Sequence, residues 1–314
     1  MNEPRIVALG GGHGLAASLS ALRRVTTDLT AVVTVADNGG SSGRLRDEFG
    51  VLPPGDLRMA LAALCGDDRW GQTWAKVLQH RFDSDGELNG HAVGNLLIVA
   101  LWELLGDHVD GLEWVGDLLG ARGRVLPMAT TPIDIIGRAA VPEGGGVDSG
   151  VADVRGQVAV ATTPGLIDVA LEPTAPPATP EAVDAIRRAD LVVLGPGSWY
   201  TSVLPHLLVP DLRAAISETS AHVAVTMNLI AQPGETEGFA PEDHLEVLRL
   251  HAPELQVDTV LADIGSVPRP DALREHATLL GAELRLVDIA DTTAPGVHDA
   301  AKLARAYASL ASLA

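Results

Sequence analysis

RIVALGGGHGLAASLSALRRVTTDLTAVVTVA, residues 5–36, carries a β-rich run, a glycine cluster, a helical stretch and a second apolar run without a break. Arg5 to Leu9 reads as a short strand, and Gly10, Gly11, Gly12, His13 and Gly14 form a glycine-rich turn. Leu15, Leu19 and Leu22 then recur at helical spacing as far as Arg24, and Leu29 to Ala36 reads as a buried strand. Strand, turn, helix, strand is a βαβ unit. Ligands of open α/β sheets gather at the carboxyl ends of the strands, so the glycine-rich turns after both strands should line one crevice.

The second of those turns lies in ADNGGSSGRLRDEFGVLPPGD, residues 36–56. Gly39, Gly40 and Gly43 allow close backbone approach, Ser41 and Ser42 add hydroxyls, and Arg44 and Arg46 add cationic forks. These groups suit phosphate. Gly12, Gly14, Ala17 and Asp37 also fit a dinucleotide fingerprint, which makes NAD one candidate ligand; a tight turn with no ligand has the same spacing. Asp37 and Asp56 flank the second turn as a candidate Mg²⁺ pair, or alternatively as a turn residue and a helix N-cap. The Gly39–Gly43 pattern matches a nucleophile elbow in letters only, because Asp37 and Asn38 separate it from the strand.

Downstream, Pro53, Pro54 and Gly55 precede a helix through Leu57, Leu61 and Leu64, and His91 and Asn95 open another whose Leu96, Leu97, Leu101 and Leu104 should point inward. His91 and Asn95 read either as ligand contacts or as a capping pair. From Arg124 to Glu172 the texture changes to short Val, Ile and Thr runs, including EGGGVDSG, and predicts a β-rich insertion. TAPPATP, residues 174–180, reads as a surface connection. Strands are then expected at Leu191–Leu194, His222–Met227 and Thr259–Ala262, with a closing helix over Lys302–Leu313. The first of these runs into Gly195, Gly197, Ser198, Tyr200 and Thr201, and the second into Asn228, Gln232, Gly234, Glu235 and Thr236; both clusters suit hydrogen bonding to a base, ribose or sugar.

Composition bounds the reading. The net charge of −19, from 41 acids against 22 Lys and Arg, opposes general nucleic-acid binding. Aromatic residues make up 3%, so Ala, Val and Leu fill the core. The one cysteine, Cys65, excludes an internal disulfide and a cysteine-cluster metal site. No apolar run reaches the ~18 residues of a membrane span, and no secretory leader opens the chain. The expectation is a cytoplasmic protein with a Rossmann-like three-layer α/β fold, a mostly parallel sheet, and a single domain over residues 1–314 with its insertion at about 124–172.

GGGHGL, ADNGGSSGRLR, PPGDLR, HAVGNL, LGPGSWYTS and NLIAQPGET, in that order, resemble the gluconeogenesis factor (YvcK-like) family of the CofD-like superfamily. The resemblance implies a regulator that binds a UDP-sugar such as UDP-N-acetylglucosamine, supporting growth, cell shape and cell-wall precursor supply on gluconeogenic carbon sources. Its alternative is a metal-dependent group transferase like the sister family, 2-phospho-L-lactate transferase, with Asp37 and Asp56 holding Mg²⁺. His13 stands where threonine is common, and Asp37-Asn38 where two acids are usual. Ligand contacts are expected from Gly11, Gly12, His13, Gly14, Asp37, Asn38, Gly39, Gly40, Ser41, Ser42, Arg44, Asp56, Arg58, His91, Asn95, Gly195, Gly197, Ser198, Tyr200, Thr201, Asn228 and Gln232. No residue is assigned a catalytic role outside the transferase alternative. Expected partners are a nucleotide-containing small molecule, an enzyme of amino-sugar synthesis and further copies of the chain in a homo-oligomer.

Overall fold

The computed structural model describes residues 3–140 and 151–313. Strand β1 (Ile6–Gly10), helix α1 (Gly12–Leu22) and strand β2 (Leu29–Val33) realise the βαβ unit, with β1 and β2 parallel and every residue of both strands buried. Burial on both faces is what near-continuous apolar runs require. Helix α1 starts at Gly12, earlier than the leucine spacing marks, so part of the glycine turn is already helical.

Helices α2 (Gly40–Phe49), α3 (Gly55–Leu64), α4 (Arg69–Gln79), α5 (Val93–Leu105) and α6 (His108–Leu119) follow. Helix α2 replaces the open turn expected over Gly40–Gly43. Pro54 is the N-cap of α3, which puts Asp56 in the first turn instead of at the cap. In α5 the inward face is Ile98, Val99 and Trp102, whereas Leu104 is 77% exposed, against expectation.

Strand β3 (Arg124–Pro127) pairs parallel with β2 and so belongs to the main sheet, which moves the start of the insertion beyond residue 127. The small antiparallel sheet comprises β4 (Asp134–Ala140), β5 (Val151–Arg155) and β6 (Leu166–Glu172), in the order β5-β4-β6, with helix α7 (Gln157–Thr162) between its last two strands. The EGGGVDSG turn lies outside the described residues. Ala178 and Thr179 in the proline-rich connection are buried, so that segment is not wholly a surface one.

The α/β alternation resumes with β7 (Leu191–Leu194), β8 (His222–Thr226), β9 (Thr259–Asp263) and β10 (Glu283–Val287), and the helix Ala300–Ala311 closes the described chain. The seven-stranded sheet has the order β10-β9-β8-β7-β1-β2-β3, all pairs parallel. This is a Rossmann-like α/β fold with a small β-rich insertion. The chain builds outward from β1 in one direction, returns to β7 on the other side of β1, and builds outward again. The order therefore reverses between β1 and β7, and the carboxyl ends of those strands form the switch-point crevice. Among the described residues, no helix is long and apolar enough to cross a membrane.

Candidate functional site

The loops after β1 and β7 meet at the switch point. A methyl group on Gly14 would collide with the Pro196 carbonyl and sit 2.4 Å from the Gly197 α-carbon, so only glycine permits the approach. Behind it, Ser18 Oγ donates to the Gly195 carbonyl at 3.0 Å and shares a hydrogen bond with Tyr307 Oη at 2.8 Å; Tyr307 Oη also meets Thr226 Oγ1 at 3.0 Å. This buried network fixes α1 against the β7 loop from below. Asn228 completes the arrangement: Gly197 N–H donates to its Oδ1, and its Nδ2 donates to the Gly197 carbonyl, both at 2.8 Å. A concavity of about 520 Å³ opens here, walled by His13, Gly14, Pro196, Asn228, Gln232 and His298. His298 was not singled out in the sequence; burial holds its imidazole below the usual range, and its Nε2 is buried without a protein partner.

A second concavity, of about 230 Å³, adjoins the β1 loop and is bounded by Asp37, Gly39, Gly40, Asp56, Arg58 and Arg81, together with Ser41 and Ser42. Asp56 reaches under the β1 loop, where a methyl on Gly11 would stand 2.5 Å from its Oδ2 and 3.1 Å from Ser202 Oγ. Asp37 Oδ2 lies 3.0 Å from where a methyl on Gly55 would be, next in sequence to Asp56. Burial, with the charge of Asp37 nearby, pushes Asp56 up to about 7; the Gly12 N–H and Arg58 act in the opposite sense. Arg58 is itself brought down to about 10, first by burial. Helices α1 and α2 begin alike, each with an extended glycine (Gly11, Gly39), then a left-handed glycine (Gly12, φ 56°; Gly40, φ 48°), and no side-chain cap. Apart from the Gly12 N–H, which donates to Asp56, the first-turn N–H groups favour an anion. Two acids close enough for the charge of Asp37 to act on Asp56, next to such N–H groups, fit a divalent cation shared with phosphate oxygens: Asp37 and Asp56 would hold it. Among the described residues no cluster of three or more metal-ligating side chains occurs.

The expected residues thus divide between two concavities that share no wall residue, instead of one crevice, and several are engaged by other groups of the protein. Ser41 Oγ is 3.1 Å from His91 Nδ1 and accepts from Asn95 Nδ2 at 3.0 Å and from the Ala92 N–H at 3.3 Å, while Asn95 Oδ1 accepts from Arg58 Nε at 2.9 Å. His91 and Asn95 therefore support Ser41 and Arg58 from behind. Arg44 is exposed and donates to the carbonyls of Asn89, at 2.7 Å, and Glu87. Asn38 accepts from the Val158 N–H at 3.1 Å, joining the second turn to α7. Asp37 Oδ1 accepts from the Gly39 N–H at 2.8 Å, so its turn role coexists with its position beside Asp56. Ser198, Tyr200 and Thr201 face Glu235, whose carboxylate accepts from all three, and the Tyr200 ring lies edge-on to Phe239 and His251. Neither concavity is walled by these three residues.

A larger hollow, about 1090 Å³, lies at the amino edge of the sheet among Glu3, Arg5, Asp28 and Asp190. Three of its charged groups are already engaged: Arg5 pairs with Asp190 at 2.8 Å, and Glu3 accepts from the Thr27 N–H at 2.9 Å. It lacks the converging glycine turns of the carboxyl edge.

A family described as 2-phospho-L-lactate transferase CofD matches residues 6–302. A Mycobacterium tuberculosis protein named "Putative gluconeogenesis factor" is 54% identical over 95% of this chain and 88% of its own length. The gluconeogenesis factor of Listeria monocytogenes is 38% identical over 85% of this chain and 80% of its own. A crystal structure of a UPF0052 family member from Bacillus halodurans superposes with a TM-score of 0.84 at 32% identity, covering 98% of this chain and 99% of that one. The chain belongs to the gluconeogenesis factor family of the CofD-like superfamily.

Proposed function

We propose that this protein is a cytoplasmic regulator that binds a nucleotide sugar of the UDP-N-acetylglucosamine type and supports growth, cell shape and cell-wall precursor supply on gluconeogenic carbon sources. The observation that carries the reading is the contact of Gly14 with Pro196 and Gly197 at the point where the strand order reverses. There, first-turn N–H groups of α1 and the β7 loop border one concavity, with those of α2 bordering the next; a diphosphate can face the former while base and sugar extend along Asn228 and Gln232. The overall charge of −19 leaves such N–H groups and Arg58 as the local attraction for an anion. The natural partner is then an enzyme of amino-sugar synthesis, and self-association is testable on the same sample by light scattering. Calorimetric titration with UDP-N-acetylglucosamine, UDP and NAD tests the reading. Saturable binding of the UDP-sugar is expected, and silence from every nucleotide overturns it.

A second reading, metal-dependent transfer of a phosphorus-linked group, is favoured by one specific observation, the Asp37–Asp56 pair. Bound Mg²⁺ would supply charge stabilisation at phosphate oxygens. The chain's own part would be to bring Asp37 and Asp56 together toward the metal and to set Arg58 beside them. A titration in which Mg²⁺ strengthens nucleotide binding to the wild type and not to Asp56→Asn supports this reading, and indifference to Mg²⁺ removes it.

A further inference from the structure

We infer that Glu235 is a positioning residue of the ligand site: its carboxylate clasps the Asn228–Thr236 segment to the β7 loop and so fixes the wall of the larger concavity. The inference rests on the ligand-binding reading for its functional consequence, though not for the clasp itself.

Glu235 is 2% exposed, and among the described residues no cation acts on it. It is held by neutral donors instead. Oε1 accepts from the Tyr200 N–H at 2.6 Å and the Thr201 N–H at 3.1 Å, and Ser198 Oγ lies 2.7 Å and 2.6 Å from the two carboxylate oxygens. Burial pushes the Glu235 carboxyl up, and these donors pull it down. A buried carboxylate without such donors is expensive to retain, so the donors and the acid keep one another in place.

The clasp acts on a segment with few other anchors. At one end Asn228 pairs with Gly197; at the other, Thr236 Oγ1 accepts from the Gln232 N–H at 2.9 Å and the Thr236 N–H donates to the Gln232 carbonyl at 3.0 Å, closing a small loop on itself. Between them Ile230 is 61% exposed. Residues Asn228, Ala231, Gln232 and Pro233 are wall residues of the 520 Å³ concavity, yet Glu235 is not. Its influence is exerted through the segment it holds. Next to it, a methyl on Gly234 would stand 3.0 Å from the Ala161 carbonyl in α7, and α7 in turn carries the Val158 N–H bound to Asn38. Glu235 thus joins the Asn228–Thr236 segment to the β7 loop, while the neighbouring Gly234 packs that segment on α7.

Hydrogen exchange of the ligand-free protein reads the clasp directly. In Glu235→Ala, exchange across Asn228–Thr236 should rise about tenfold or more, the factor for loss of a charged hydrogen bond, with β7 and β8 unchanged. Glu235→Gln, which keeps one acceptor oxygen, should fall between it and the wild type, and Ser198→Ala should give the same selective pattern. UDP-N-acetylglucosamine affinity in calorimetry should fall in the same order. Unchanged exchange in that segment, or a uniform rise over the whole chain, overturns the inference. A selective rise with undiminished affinity also overturns the positioning role. A wild type that binds no nucleotide contradicts the ligand reading, while the clasp still stands or falls on the exchange pattern alone.

Discussion

The α-carbon of Gly14 rests on the Pro196 carbonyl with no space for a methyl group between them. Two loops separated by most of the chain are thereby locked across the reversal point of the sheet. Gly14→Ala must push backbone against backbone, and overpacking of this kind costs about 1–3 kcal/mol. Gly11→Ala meets the Asp56 and Ser202 side chains instead, which can turn aside. Urea unfolding should therefore show a larger loss for Gly14→Ala than for Gly11→Ala, although both should weaken ligand binding.

Asp56 gives the ligand-free protein a distinctive pH dependence. Its folded value, about 7, lies above the ordinary carboxylate range, so the folded state binds the proton more tightly than the unfolded state. Its contribution is complete below about pH 4 and is lost as pH rises toward 7. Asp56→Asn removes that loss. The melting temperature of the variant relative to wild type should rise between pH 5 and pH 8, as followed by circular dichroism; parallel curves would contradict the assignment.

Ser41 Oγ ties the second turn to His91, Ala92 and Asn95. Removing its hydroxyl strands the buried Ala92 N–H and Asn95 Nδ2, and unmade hydrogen bonds of this kind cost about 1–3 kcal/mol. Ser41→Ala should lower stability by that amount in chemical denaturation.

The two arginines among the expected ligand contacts, Arg44 and Arg58, should separate cleanly. Arg58 is 3% exposed, donates to Asn95 and Gln79, and borders the smaller concavity, whereas Arg44 is exposed and donates to main-chain carbonyls. Arg58→Ala should cost about 1.5–3 kcal/mol in stability and weaken nucleotide binding. Arg44→Ala should stay within about 0.5 kcal/mol in stability and leave nucleotide affinity nearly intact, both by calorimetry.

The βαβ unit and the strands β7, β8 and β9 were legible because each is a continuous apolar run ending in glycine or a polar turn. Strand β10 was not: Glu283-Leu-Arg-Leu-Val alternates charge with apolar residues at the sheet edge, where it is only partly buried. Helix α2 was hidden by its Gly-Ser-Ser-Gly start, whose intrinsic helix propensity is poor; burial of Leu45 and the Arg46–Asp134 ion pair at 2.6 Å support it instead. Strand β3 has the same texture as the insertion, and only its pairing with β2 assigns it to the main sheet. The motifs fall on the loops that follow β1, β2, β7 and β8. They could not separate groups that face a concavity from groups that hold the rim together, because the partners of Ser41, Asn38 and Glu235 are tens of residues away in sequence.

The most direct test is a crystal structure of the protein with UDP-N-acetylglucosamine. The expected result is a diphosphate over the first turn of α1 at Gly12–Gly14, beside Pro196 and Gly197, with the remainder of the ligand along Asn228. Density at the amino edge, between Arg5 and Asp190, with the carboxyl rim unchanged would contradict it.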